Sequence, residues 1–397
     1  MLAFTAAKLL TPNDTLEHVL LLVDQGHVVE IADHADRQLS AGVSVTDFGD
    51  SVIAPGYVDV HIHGSSGYDV MDDAPEALPA IERLLARHGV TSYFPTTVTA
   101  PIDDILRALE RLADAIETCE RDCEVAPGQK KPNRAGRALP LGIHLEGPFL
   151  SHACRGVHPS DKLLPPRLET FERFWQAARG RIRLITIAPE LDGAIELIAA
   201  AAARTVCVSL GHSDADFSVT ERAIAAGARH ATHTFNAMRP LRHRDPGILG
   251  AVLTDARISA DIIADSIHLD PCIIKLFARS KGPEQTVLIT DAIAATGMPD
   301  GRYHLGPFEV DVKDGKCTRD GKLAGSVLTM DRAVRNLARF AEWDLAQAVA
   351  AASRNPARVA RCTYKGVLEA GADADFAVLD AQGNVLRTFI GGVECPA

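Results

Sequence analysis

A disulfide framework is the first thing this 397-residue chain lacks. Its eight cysteines, at 119, 123, 154, 207, 272, 317, 362 and 395, are scattered and include no C-x-x-C pair. Several sit in apolar text, such as Val206-Cys207-Val208, and read as reduced cysteines. Long apolar runs are also missing: nowhere do about 18 apolar residues follow one another, so no membrane-crossing helix is expected. Lys8 and Pro12 interrupt the only early apolar stretch, which leaves no N-terminal signal and makes the cytoplasm the expected location. Positive charge is in deficit. The net charge of −11 argues against nucleic acid or a membrane surface as partner. An anionic substrate would need a local cluster of basic residues. No fixed-period repeat and no low-complexity tract occurs, which excludes an array architecture.

What is present suits a soluble globular protein, with 47% hydrophobic and 23% charged residues. The length accommodates a barrel of ~250 residues with an accessory domain. From residue 51 onward, strand, loop and amphipathic helix repeat. Strands are expected at 58–63, 92–96, 141–146, 183–187, 206–211, 230–233, 257–263 and 287–290. Helices are expected at 75–88, 102–119, 168–178, 194–203, 217–226 and 271–280. Such alternation implies a parallel sheet, and eight units make a closed (β/α)8 TIM-type barrel. Residues 125–137 read as a polar surface loop, and 302–323 as a hairpin inserted after the last strand. Two final helices, 330–339 and 345–352, precede Asn355-Pro356. Residues 1–54 and 366–397 carry short β-like pieces between turns. The two chain ends are therefore expected to pair into a small β-sandwich domain flanking a barrel at 55–365.

The chemistry starts at Val58-Asp59-Val60-His61-Ile62-His63. Side chains at i and i+2 of a strand share a face, so His61 and His63 project together at the strand's end. Two co-facial imidazoles suit divalent zinc or iron. Taken alone, the pair also fits ordinary hydrogen bonding. A barrel enzyme keeps its site at the C-terminal ends of the strands, and further candidates stand there: Glu146, His212, His233 and Asp291. Four histidines and two carboxylates thus converge from five strands. His144 and His230 face elsewhere by alternation and read as structural. Ser213, Asp214 and Asp216 read as caps of the following helix, and Cys154 has no assigned role.

This constellation resembles the amidohydrolase superfamily and, within it, the N-acetylglucosamine-6-phosphate deacetylase family. The resemblance spans nearly the whole chain. It is carried by His144-Leu145-Glu146-Gly147-Pro148-Phe149, Gly211-His212-Ser213, His233-Thr234-Phe235-Asn236-Ala237-Met238, Thr290-Asp291-Ala292 and Leu323-Ala324-Gly325-Ser326. It implies that Glu146, His212 and His233 hold the main divalent metal ion, zinc or iron. Asp291 would be the general base, taking a proton from the attacking water and passing it to the leaving amine. Many relatives carry a lysine on the fourth strand to bridge two metals; this chain has none there, and Glu146 is the alternative. Keeping His61 and His63 makes a second ion plausible. The resemblance also places Val157, His158, Asn236, Ala237, Arg244 and His268 against a phosphorylated amino sugar, with Leu323, Ala324 and Gly325 closing over it. It implies a homodimer in which a basic residue of the partner reaches the phosphate, for which Lys275 is the candidate. The competing readings are another amidohydrolase (an amino-acid deacylase, a cyclic-amide hydrolase or a nucleobase deaminase) and a non-catalytic scaffold.

Overall fold

Strands covered on both faces read as continuous apolar text, and Ile182-Arg183-Leu184-Ile185-Thr186-Ile187, with all but Arg183 buried, is one of them. In the computed structural model, which describes residues 1–36, 43–123 and 136–396, eight such strands alternate with eight helices. They run β1 (Tyr57–Ile62), α1 (Ala77–Arg87), β2 (Val90–Thr97), α2 (Ile102–Cys123), β3 (Ile143–Glu146), α3 (Leu168–Ala177), β4 (Ile182–Ile187) and α4 (Ala194–Ala203). Then come β5 (Cys207–Leu210), α5 (Phe217–Ala226), β6 (Ala228–Ala231), α6 (Gly247–Thr254), β7 (Ala260–Ile262), α7 (Pro271–Gln285), β8 (Thr286–Leu288) and α8 (Met330–Ala341). Pairing is parallel from β1 through β6 and again between β7 and β8. Backbone bonds close the ring. Ala231 N donates to Ser259 O and Thr234 N to Asp261 O, joining β6 to β7, and Asp291 N donates to His61 O, joining the end of β8 to β1. The expected barrel is the observed one.

The helices follow from local sequence. In α2, Ile105, Leu109, Leu112 and Ile116 are buried at helical spacing, and Asp103 and Asp104 occupy the first turn, where the helix dipole favours negative charge. Asp216 caps α5 by accepting from Val219 N, and Asp270 caps α7 ahead of Pro271.

Both chain ends share one eight-stranded sheet. Its order is Val393–Glu394, Val385–Ile390, Phe376–Leu379, Val52–Pro55, Leu2–Leu10, Thr15–Asp24 and His27–Asp33, with Ser44–Asp47 also on Leu2–Leu10. Leu2–Leu10 pairs with Ser44–Asp47 through its first half and with Val52–Pro55 through Lys8 and Leu9. The sheet thereby turns over an aromatic core of Phe4, Phe48, Phe376 and Phe389, with the Phe4 and Phe376 ring centroids 5.0 Å apart.

Three details differ from expectation. The insertion at 302–323 is a four-stranded antiparallel sheet, not one hairpin, because turns at Gly306, Gly315 and Gly321, all at positive φ, reverse the chain three times. Helix α6 had no sequence signal: Gly247-Ile248-Leu249-Gly250-Ala251-Val252 is buried all round, so no polar face marks its period. After α9 (Leu345–Ala352), a short α10 (Arg354–Val359) runs through Asn355-Pro356; Pro356 lies in its first turn, where its missing N–H costs nothing. Most of the loop expected at 125–137 lies outside the described residues.

Where barrel and end sheet meet, Lys365 is buried and its Nζ lies 2.6 Å from Asp375 and 2.7 Å from Asp373. Asp375 also accepts from Gly391 N, and its carbonyl from Gly56 N. Removing one partner strands a buried charge. Lys365→Ala is therefore expected to destabilise the chain by ~3–5 kcal/mol, read as a lowered midpoint in urea unfolding; an unchanged midpoint would show that the pair is solvated.

Candidate active site

The strand ends deliver six side chains to one place. His61 lies on β1 and His63 just beyond it, Glu146 ends β3, and His212, His233 and Asp291 stand in the turns after β5, β6 and β8. The last three have φ of 48°, 30° and 49°, a left-handed conformation that non-glycine residues adopt at a cost and that clusters at functional sites.

Two groups of donor atoms result. His61, His63 and Asp291 form one and Glu146, His212 and His233 the other, each with its atoms within 4.8 Å of one another. Glu146 stands between them. Its Oε1 is 3.1 Å from His233 Nε2, 3.3 Å from His212 Nε2 and 3.5 Å from His61 Nε2, and its Oε2 is 3.3 Å from His63 Nε2. Asp291, given to proton transfer by the sequence reading, also lies 3.2 Å from His63 Nε2 and 3.6 Å from His61 Nε2.

The imidazole tautomers test whether a cation fits. His63 Nδ1 donates to Thr96 O at 2.9 Å and His212 Nδ1 to Cys154 O at 3.0 Å. In the neutral rings Nε2 is then a bare lone pair, aimed at carboxylate oxygens. Lone pairs facing anionic oxygens at hydrogen-bond distance repel unless a positive charge lies between them. Burial opposes charge on His233, yet Glu146 outweighs it and lifts its pKa to about 9; against the same burial, Asp291 and Glu146 raise His63 well above its usual value. Burial alone would raise Asp291, but His61 and His63 hold it at about 2. The pocket favours a positive charge, and the donor set is one that divalent zinc or iron accepts.

Residues that sequence reasoning did not single out support this group. Asp59 Oδ2 accepts from Thr290 Oγ1 at 2.6 Å and its Oδ1 from His61 N, tying β1 to the segment before Asp291. Asp261 accepts from the backbone N–H of His233 and lies 2.9 Å from His230 Nε2. The available signal was a lone aspartate inside apolar strand text, Val58-Asp59-Val60 and Ala260-Asp261-Ile262, since a buried carboxylate needs donors. His144 is buried with Nε2 2.8 Å from Thr186 Oγ1 on the fourth strand. Of the expected caps, only Asp216 caps α5; Ser213 Oγ donates to Glu190 and Asp214 N to the same carboxylate. Cys154 serves through its backbone carbonyl.

His158 is buried beside the metal-type group, its ring centroid 4.7 Å from that of His212. Asn236 Nδ2 donates to His233 O, and Ala237 O accepts from Ser213 N. His268 Nδ1 donates to Asp265 at 2.7 Å. Val157 packs against the apolar cluster of the inserted sheet. Leu323, Ala324 and Gly325 lead into Ser326, whose N–H donates to Asp291 O at 2.7 Å. Arg244 stands exposed in the loop after Met238, and Lys275, on α7, is paired with Glu342 at 2.5 Å.

Residues 52–395 match the amidohydrolase family model. The chain is 37% identical to the N-acetylglucosamine-6-phosphate deacetylase of Lysinibacillus sphaericus, over 92% of this chain and 90% of that one. It is 38% identical to the N-acetylgalactosamine-6-phosphate deacetylase of Escherichia coli O157:H7, over 95% and 99%. The crystal structure of N-acetyl-D-glucosamine-6-phosphate deacetylase from Mycobacterium smegmatis superposes with a TM-score of 0.89 at 33% identity, over 99% and 100%. Family match, shared fold and the donor groups at the strand ends agree: the chain belongs to the amidohydrolase family, on the branch where these deacetylases lie.

Proposed function

We propose that this chain hydrolyses the acetamide of N-acetylglucosamine 6-phosphate to glucosamine 6-phosphate and acetate. The observation that carries the reading is the convergence of Glu146, His212 and His233 beside Asp291 in a chain similar over its length to enzymes of that name. Glu146, His212 and His233 would hold the main divalent ion, zinc or iron, and His61 and His63, sharing Glu146, a second. When bound, such an ion makes water nucleophilic at neutral pH and polarises an acyl oxygen.

The protein's own part is proton handling and placement. Asp291, held ionised by the flanking histidines, is the base that takes the water's proton and passes it to the departing amine. Asn236, Ala237, Arg244 and His268 are proposed to meet the phosphorylated sugar, with Val157 and His158 against the ring and Leu323, Ala324 and Gly325 over it. The homodimer and the cytoplasmic location belong to the same proposal; among the described residues no helix is long and apolar enough to cross a membrane. In a dimer, Lys275 could reach a partner's phosphate only by releasing Glu342.

Phosphate recognition separates this reading from a general deacylase. With net charge −11, long-range attraction will not gather a dianion; a local arginine must. Arg244→Ala is expected to lower kcat/KM for the phosphorylated sugar by about 10- to 200-fold and to leave the slow reaction with unphosphorylated N-acetylglucosamine nearly unchanged. Equal losses on both sugars would make Arg244 structural. N-acetylgalactosamine 6-phosphate belongs in the same assay, because a relative named for that sugar is 38% identical.

A further inference from the structure

His158 is hydrogen-bonded in the opposite sense from its neighbours. His63 and His212 donate through Nδ1, which in the neutral rings leaves Nε2 as the lone pair. His158 Nδ1 instead receives the backbone N–H of Thr99 at 3.4 Å and lies 2.9 Å from Thr99 Oγ1. An amide N–H can only donate, so Nδ1 is the acceptor and the neutral ring carries its proton on Nε2. That nitrogen is 3.7 Å from Glu146 Oε2, at the edge of the metal-type group.

The position of Thr99 is itself set from the other side. It is fully buried, and a Cβ on Gly147, the residue after Glu146, would stand 2.2 Å from Thr99 Oγ1. Only glycine leaves room for the hydroxyl there, and Gly147 also has φ of 82°. The turn that ends β3 therefore leaves the space in which the Thr99 hydroxyl meets His158.

We propose that Thr99 is a positioning residue that holds His158 as an Nε2–H donor, keeping this ring out of the metal group and turning its proton toward the acyl oxygen of the bound amide. A protonated nitrogen cannot ligate a cation. A donor fixed before the reaction stabilises the negative charge that develops on that oxygen. The acyl-oxygen part rests on the deacetylase reading; the tautomer does not.

Two readouts test it. In zinc-loaded protein, Thr99→Val removes the hydroxyl at constant shape, and Thr99→Ser keeps it. The valine variant is expected to lose roughly threefold to tenfold in kcat, with KM within about twofold and metal content unchanged, and the serine variant to regain most of it. Long-range proton–nitrogen spectra of the unsubstituted zinc-loaded protein, labelled at histidine and assigned with His158→Gln, are expected to place the His158 proton on Nε2. A proton on Nδ1, or a valine variant with parental kcat, would overturn the proposal. A parent protein that releases no acetate would refute the deacetylase reading instead, and the spectrum would still decide the tautomer.

Discussion

Replacing Asp291 with asparagine is expected to lower kcat by ~10²-fold or more and to leave both the fold and the main metal ion in place. Asparagine preserves the side chain's shape and the two backbone bonds of residue 291, from its N–H to His61 O and from Ser326 N–H to its carbonyl. What it loses is the ability to accept a proton. The parent carboxylate lies within 3.2 Å of His63 and is held ionised by the flanking histidines. It is also the more open of the two carboxylates, its side chain 10% exposed against 3% for Glu146, which suits a group that must meet a substrate. The loss should appear in kcat more than in KM, since the proton moves only as the bond breaks. Near-normal turnover would mean that Asp291 is a ligand or a structural residue.

Loss of one side chain from the Glu146 group is expected to cost at least as much. His212→Ala removes a nitrogen whose partner bond, Nδ1 to Cys154 O, fixes its direction. Changing only the partners of metal-binding histidines typically costs ~10- to 100-fold in affinity, so deleting the ligand should exceed that. Elemental analysis should find the main ion gone and activity with it, whereas His61→Ala or His63→Ala should remove at most a second ion. Unchanged metal in the His212→Ala protein would sink the assignment. The pH dependence has a definite sign. With its pKa lifted to about 9, His233 in the metal-free protein holds a proton at neutral pH, which an incoming ion must displace. Apparent metal affinity should therefore rise as pH is raised toward 9 and fall as it is lowered.

The barrel and the meeting of six polar side chains at its strand ends were readable in the sequence because parallel strands leave an unusually plain trace. Apolar runs end in His, Glu or Asp, and H-x-H needs only the two-residue period of a strand to bring His61 and His63 together. Local rules could not give the contacts that cross the barrel. Asp59 meets Thr290 across 231 positions, and Thr99 meets His158 across 59; no periodicity encodes such pairs. Backbone conformation was equally hidden. Nothing in the spelling of His212, His233 or Asp291 says that each sits at positive φ, although that turn aims each side chain inward. Helix α6 escaped for a simpler reason, since a helix buried on every side carries no amphipathic signal.

The most direct test of the central claim is acetate release from N-acetylglucosamine 6-phosphate by protein stripped of metal and then reloaded. The stripped protein should be inactive, and activity should return in proportion to the zinc or iron bound, saturating at one or two ions per chain. Acetate release at the full rate by stripped protein, or none from protein whose metal content is restored, would contradict the account.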